Sequence, residues 1–286
     1  MARVSALFSY PVKGCAGVPL AAARLAPTGL PHDRAFLVTD PEGVFRSQRA
    51  DPRLALARPA LGAHGDRLTL TAPGLEPVTV PVDTTGPARR VTLFGDPYTG
   101  IDQGQAVADW FTELLGRPSR LVRVPPDHRR TTTGLTPGTS NYADSAAVSL
   151  LSQAALTGLN ERLAARGEPP LPMDRFRPNV VLDEVDAPHE EDAYRALTLG
   201  EARLGFAKLA VRCAVTLVDQ RTGARAGPEP LRTLADYRRA PAGGVAFGAK
   251  FAVLGPGALA VGDRVAALTR ADAAEPAPTA SGSVTR

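Results

Sequence analysis

At 286 residues and 44% hydrophobic side chains, the chain holds enough apolar material for one large domain or two small ones, which excludes a disordered scaffold. Its net charge of +4 is weak, its basic residues are scattered and its aromatic content is only 5%, so no nucleic-acid partner is expected. Two cysteines, Cys15 and Cys213, and four dispersed histidines exclude a disulfide framework and a zinc or iron–sulfur ligand set, while 27 glycines and 27 prolines favour short elements and tight turns. No apolar run reaches the roughly 18 residues of a membrane span. The N-terminus shows no secretory h-region. A soluble, cytoplasmic chain without a membrane partner is expected.

The first hundred residues read as β. Val4, Ala6 and Phe8 alternate as in a half-buried strand. Ala35–Thr39 and Val44–Ser47 read as strands around the turn Asp40-Pro41-Glu42-Gly43, where Pro presets φ and Gly supplies the left-handed position. Leu68/Leu70, Val78/Val80/Val82 and Val91/Leu93 extend the series, a spacing that suggests a small barrel or sandwich. Val107, Trp110, Phe111, Leu114 and Leu115 then follow helical spacing up to Gly116 and Pro118. A second helix is predicted from the N-cap Ser152 through Leu156, Leu159 and Leu163 to Gly167. From Asn179 the pattern returns to β, with strands expected at Val180–Asp183, Ala196–Leu199, Arg203–Phe206, Ala214–Val218 and Ala258–Ala267. The segment from Asp272 to Arg286, rich in Ala, Pro, Ser and Thr, reads as a disordered tail.

Nucleotide-binding glycine loops, nucleophile elbows and zinc-protease motifs are absent. His189-Glu190-Glu191-Asp192 reads as a solvated charged turn. What remains is a series of phrases. Tyr10-Pro11-Val12-Lys13-Gly14-Cys15 follows the opening strand, and Pro31-His32-Asp33-Arg34 comes next, then Ser47-Gln48-Arg49. Tyr142-Ala143-Asp144-Ser145 precedes the second helix. Asp174-Arg175-Phe176-Arg177-Pro178-Asn179, Arg212-Cys213, Glu229-Pro230-Leu231, Phe247-Gly248 and Val261-Gly262-Asp263 complete the set.

In their order and spacing these phrases resemble the MOSC-domain family over roughly residues 3–268. The branch echoed is that of the mitochondrial amidoxime reducing component and its bacterial relatives. The resemblance implies an α+β, β-rich fold: a small N-terminal β-barrel or sandwich domain, residues 1–100, packed on a MOSC-type β-barrel with a few helices, residues 101–270. Residues 271–286 form the tail. It also implies a molybdenum cofactor in a cleft between the two, with Cys213 as metal ligand and catalytic residue. A soft thiolate suits that metal. Read on its own, Cys213 is a small buried hydrophobe.

By resemblance, Lys13, Arg34, Arg177, Asn179 and Arg212 hold the cofactor, Ser145 lies beside it, and Asp144 positions substrate or relays protons. Their plainer reading is as ordinary surface or fold-stabilising cations and, for Asp144, a turn cap. Arg212 and Cys213, as neighbours in a strand, face opposite ways unless the backbone bends there. Cys15 reads as structural. Gly14 and Val211 depart from the serines of the amidoxime-reducing branch, which bears on substrate more than on cofactor. The implied activity is an oxidoreductase that removes oxygen from N-hydroxylated substrates, with electrons from a separate flavin or iron–sulfur reductase. The alternative is a sulfur or cofactor carrier resembling the C-terminal part of molybdenum cofactor sulfurases, with a persulfide on Cys213.

Overall fold

The computed structural model describes residues 2–271, and the expected tail lies, from residue 272, outside the described residues. Strands dominate, with three α-helices among the described residues: α1 (Gln105–Leu115), α2 (Gln153–Ala164) and α3 (Leu231–Tyr237). Ser152 caps α2 by accepting the Ala155 N–H at 3.2 Å, as its type and position predict. Gly116 closes α1 at φ 72°, in the left-handed conformation expected just past a helix end.

The largest sheet has eight strands. Its centre runs from Val180–Asp183 through Val148–Ser152 and Val245–Gly255 to Ala202–Arg212, and Arg3–Ser9 joins from the N-terminus. Val148–Ser152 and Val180–Asp183 pair in parallel, with α2 as the crossover between them. A separate four-stranded sheet combines Phe36–Thr39, Arg120–Arg123, Asp96–Asp102 and Ala88–Leu93.

Burial divides the apolar residues into clusters. The first gathers Phe36, Leu68, Val91 and Cys15 with Val107, Trp110 and Phe111 of α1. A second packs Val4, Leu7 and Leu30 against Leu150, Leu204 and Phe251. A third places α2 and α3 against Leu151 and Phe247. The first strand therefore packs with residues some 140 positions or more downstream, which cover its apolar face together with Leu25 and Leu30.

Four local expectations change, one being that the strand expected at Ala258–Ala267 divides into Gly257–Ala260 and Val265–Arg270, in different sheets. The alternation of Val4, Ala6 and Phe8 breaks at a register shift between Val4 and Ala6, so Leu7 becomes the buried residue of that stretch and Phe8 is half-buried. Val44–Ser47 forms only isolated bridges, from Val44 to Thr92 and from Phe45 to Thr39. Ala214–Leu217 is a 3-10 turn where a strand was expected, because the Thr216 N–H and hydroxyl both donate back to the Cys213 carbonyl at 3.0 Å.

Candidate functional site

One cleft brings together most of the residues singled out in the sequence. Lys13, Arg34, Asp144, Arg177, Asn179, Arg212 and Cys213 all line it. Ser145 stands behind the lining, where its hydroxyl accepts from Lys250 Nζ at 2.9 Å. The structure adds Lys250, Arg175, Arg46 and Arg49, so eight cationic side chains and one carboxylate face the same space.

The strand Ala202–Arg212 ends one residue before Cys213, and the chain turns at once into the 3-10 segment. That bend resolves the facing problem, since Arg212 and Cys213 line the same cleft. Cys213 is half-buried and free. The Arg212 guanidinium is anchored on carbonyls: Nε donates to Phe247 at 2.7 Å, Nη2 to the same oxygen and Nη1 to Phe176 at 3.0 Å. Burial draws its pKa down to about 10, against the pull of Cys213 and Asp144, so it remains a cation at neutral pH. Gly248, at φ +81°, lets the neighbouring strand come this close. A Cβ there would meet the Leu150 carbonyl at 2.5 Å.

Arg34 and Arg177 both sit in the left-handed region, at φ 48° and 54°. Such backbone is uncommon for side chains of this size and is held by its surroundings. Their guanidinium carbons lie 4.4 Å from the centroid of one shared ring, that of Tyr10. The Tyr10 hydroxyl donates to the Pro178 carbonyl at 3.1 Å, and burial pushes its pKa up to about 12 despite the two arginines. Tyr10 is a clamp that the sequence offered only as part of a phrase.

Asp33 bonds Arg34 at 2.6 Å. Asn179 has both amide hydrogens engaged, with the Phe8 carbonyl and Asp33, each at 3.0 Å. Its amide oxygen accepts from Arg34 at 3.0 Å and from the Ser149 N–H at 3.1 Å. Asn179 therefore orients the wall more than it offers free donors.

Lys13 pairs with Asp144. Burial lowers the Lys13 pKa, with Asp144 opposing. For Asp144, burial would raise the carboxyl, but Lys13 and Lys250 win and hold it below the usual carboxylate range. Its side chain is 59% exposed at the rim, so solvent screens that pair. Arg177 has one weak partner, Gln220 at 3.4 Å, and Arg175 keeps Nη2 buried without a partner. Gln48 ties the walls by donating to the Gly14 carbonyl at 2.9 Å and to Gln220 at 3.0 Å.

Cys15 is sealed in the first apolar cluster, in keeping with a structural role. The charged run around His189 is not a solvated turn. Glu191 is fully buried and Glu190 nearly so. Glu191 Oε1 accepts the Ser152 N–H at 3.2 Å, and Tyr194 and Arg270 bind Glu190. A short helical turn folded inward took these acids out of water, which no local pattern announces.

Fold and cleft together define a β-rich protein with one accessible thiol in a strongly cationic, anion-accepting cleft. The profile of the MOSC N-terminal beta barrel domain matches residues 1–118, and that of the MOSC domain matches residues 137–266. Mitochondrial amidoxime-reducing component 1 of Homo sapiens is 33% identical over 282 residues, covering 92% of this chain and 82% of that protein. Mitochondrial amidoxime reducing component 2 of Rattus norvegicus is 34% identical, again over 92% and 82% of the two chains. Molybdenum cofactor sulfurase of Danio rerio is 31% identical over 85% of this chain, which spans 31% of that protein. This chain belongs to the MOSC-domain family.

Proposed function

We propose that this chain is a molybdenum-cofactor-dependent oxidoreductase that reduces N-hydroxylated substrates, with Cys213 as the metal-binding thiolate and electrons arriving from a separate reductase. The observation that carries the reading is a half-buried thiol at a strand end, inside a cleft where eight cations face one acid. The residues fit the group. A soft sulfur donor stands free, Arg175 keeps a buried nitrogen without a partner, and Arg177 has only a long contact to Gln220. Likeness to the amidoxime-reducing components over most of both chains supports the same chemistry.

In this reading Arg177 and Arg34, fixed on the Tyr10 ring, bind the anionic and planar parts of the cofactor, together with Lys13. Arg212 places a fixed positive charge beside the sulfur, on the same side of the cleft where an anionic group would dock. Asn179 holds Arg34 and the Ser149 strand in register. Asp144, paired with Lys13 at the rim, orients substrate, and Ser145 fixes Lys250. The chemistry the cofactor supplies is two-electron deoxygenation: two electrons and two protons enter, and the N–H compound and water leave.

The division into an N-terminal domain and a MOSC domain near residue 100 is part of the proposal, and the packing of α1, Leu121, Val122, Val124 and Tyr142 into the first apolar cluster bears on where the first unit ends. Localisation in the cytoplasm is part of the proposal; among the described residues no helix is long and apolar enough to cross a membrane.

Metal analysis of protein from a cofactor-competent host, followed by N-hydroxybenzamidine turnover with reduced viologen dye, tests the reading. Molybdenum in stoichiometric amount and formation of benzamidine are expected. Metal-free protein carrying a labile sulfur adduct on Cys213, and no turnover, would instead establish the carrier role that likeness to the zebrafish sulfurase suggests.

A further inference from the structure

The cleft carries more positive charge than the cofactor reading uses. Lys13, Arg34, Arg46 and Arg175 each have a carboxylate within 4.0 Å, from Asp144, Asp33, Asp51 and Asp219 respectively. Arg177 and Arg212 are the cations assigned above to cofactor and sulfur. Arg49 is exposed to solvent, with Phe94 beneath it at 5.9 Å. Lys250 is left over, with no carboxylate within 4.0 Å among the described residues.

Its placement is unusual for a lysine. Val245–Gly255 is an interior strand, flanked on both sides, and Lys250 is the first break in a run of five buried residues. The ammonium nitrogen carries three donors and the structure employs one, toward Ser145 Oγ at 2.9 Å. Burial draws the Lys250 pKa down to about 8, Asp144 opposes, and Arg212, Lys13 and Arg34 push it further down. A half-buried ammonium whose acidic neighbour Asp144 is already paired with Lys13 is poorly solvated and only partly compensated, and an arriving anion relieves both costs. Anchoring a serine hydroxyl would not require a charge there.

Resting on the reading of the site as an N-hydroxyl reductase, we propose that Lys250 is the substrate-side cation of the cleft and selects N-hydroxylated substrates that also carry a carboxylate. The ammonium, steadied by Ser145, receives the carboxylate with its free donors. The cations already committed to cofactor or to aspartates are not needed for this. A charge-assisted contact of this kind contributes about 1.5–3 kcal/mol, or roughly 10- to 100-fold in affinity.

The test compares N-hydroxybenzamidine with 4-carboxy-N-hydroxybenzamidine on cofactor-loaded protein. The unchanged protein is expected to favour the carboxylated compound in kcat/KM. Lys250→Gln should cut that preference about 10- to 100-fold, mainly through KM. Lys250→Arg should restore it, and Lys250→Glu should invert it. Calorimetric binding of 4-amidinobenzoate against benzamidine gives a second readout that needs no turnover, and it works on the unchanged protein should a variant fold poorly. A carboxylate preference identical in the unchanged protein and in all three variants overturns the proposal, as does equal binding of the two amidines to the unchanged protein. Reduction of neither compound would count against the reductase reading instead, and the binding measurement would still decide on Lys250.

Discussion

Cys15 and Cys213 carry one side chain into two environments. Cys15 follows the first strand and points into the apolar cluster of Val12, Phe36 and Leu54, with no exposure. Burial pushes its thiol up to about 12, so it stays protonated and inert at any working pH. Cys213 stands where a strand stops, half-buried, beside an anchored guanidinium and in a field of lysines and arginines. Which of the two sulfurs is accessible follows from where the chain ends a strand and what faces the gap, not from the residue type.

Five experiments break or sharpen that comparison. The largest effect is expected from Cys213→Ser, which should abolish molybdenum retention and reduction while leaving the melting temperature nearly unchanged. Metal retained at full occupancy would erase the distinction between the two sulfurs. Next, Arg212→Ala removes the charge beside the sulfur and orphans the Phe247 and Phe176 carbonyls, so molybdenum affinity should fall about 10- to 100-fold by competition with a chelator.

Burial acts on Glu191 as it does on Cys15, raising its carboxyl to about 7 with help from Asp192. Because the folded value exceeds the usual 4.5, the stability tied to this group is complete below pH 4.5 and is lost as pH rises through 7. Glu191→Gln should therefore flatten the fall in denaturant midpoint between pH 5 and 8, an effect on the order of 3 kcal/mol. An unchanged slope would mean that Glu191 is solvated. The smallest effect belongs to Cys15→Ser, which buries a hydroxyl at an apolar site and should lower stability by about 1–3 kcal/mol while molybdenum stays bound. In the metal-free protein, iodoacetamide should label Cys213 at once and Cys15 only on unfolding.

Much of the site was legible in the sequence because the family phrases keep their residues together. Lys13, Arg34, Arg177, Asn179, Arg212 and Cys213 converge on one cleft as the resemblance implied. Lys250 was missed, although a single charge inside the apolar stretch from Val245 to Val253 is a signal that sequence can carry. Glu191 was misjudged, since a charged run looks solvated until the chain folds over it.

The sequence by itself determined what neighbours along the chain control: the cap at Ser152, the stop at Gly116 and the apolar stripes of α1 and α2, each decided within a turn of backbone. Tertiary structure decided the bend that brings Cys213 to the cleft, the burial of Glu191 and the meeting of distant groups. Lys13 and Asp144 are 131 positions apart, and Lys250 and Ser145 are 105. Contacts at such separation form only when sheets and helices cover one another's apolar faces, and that global burial is the physical reason no local pattern could declare them.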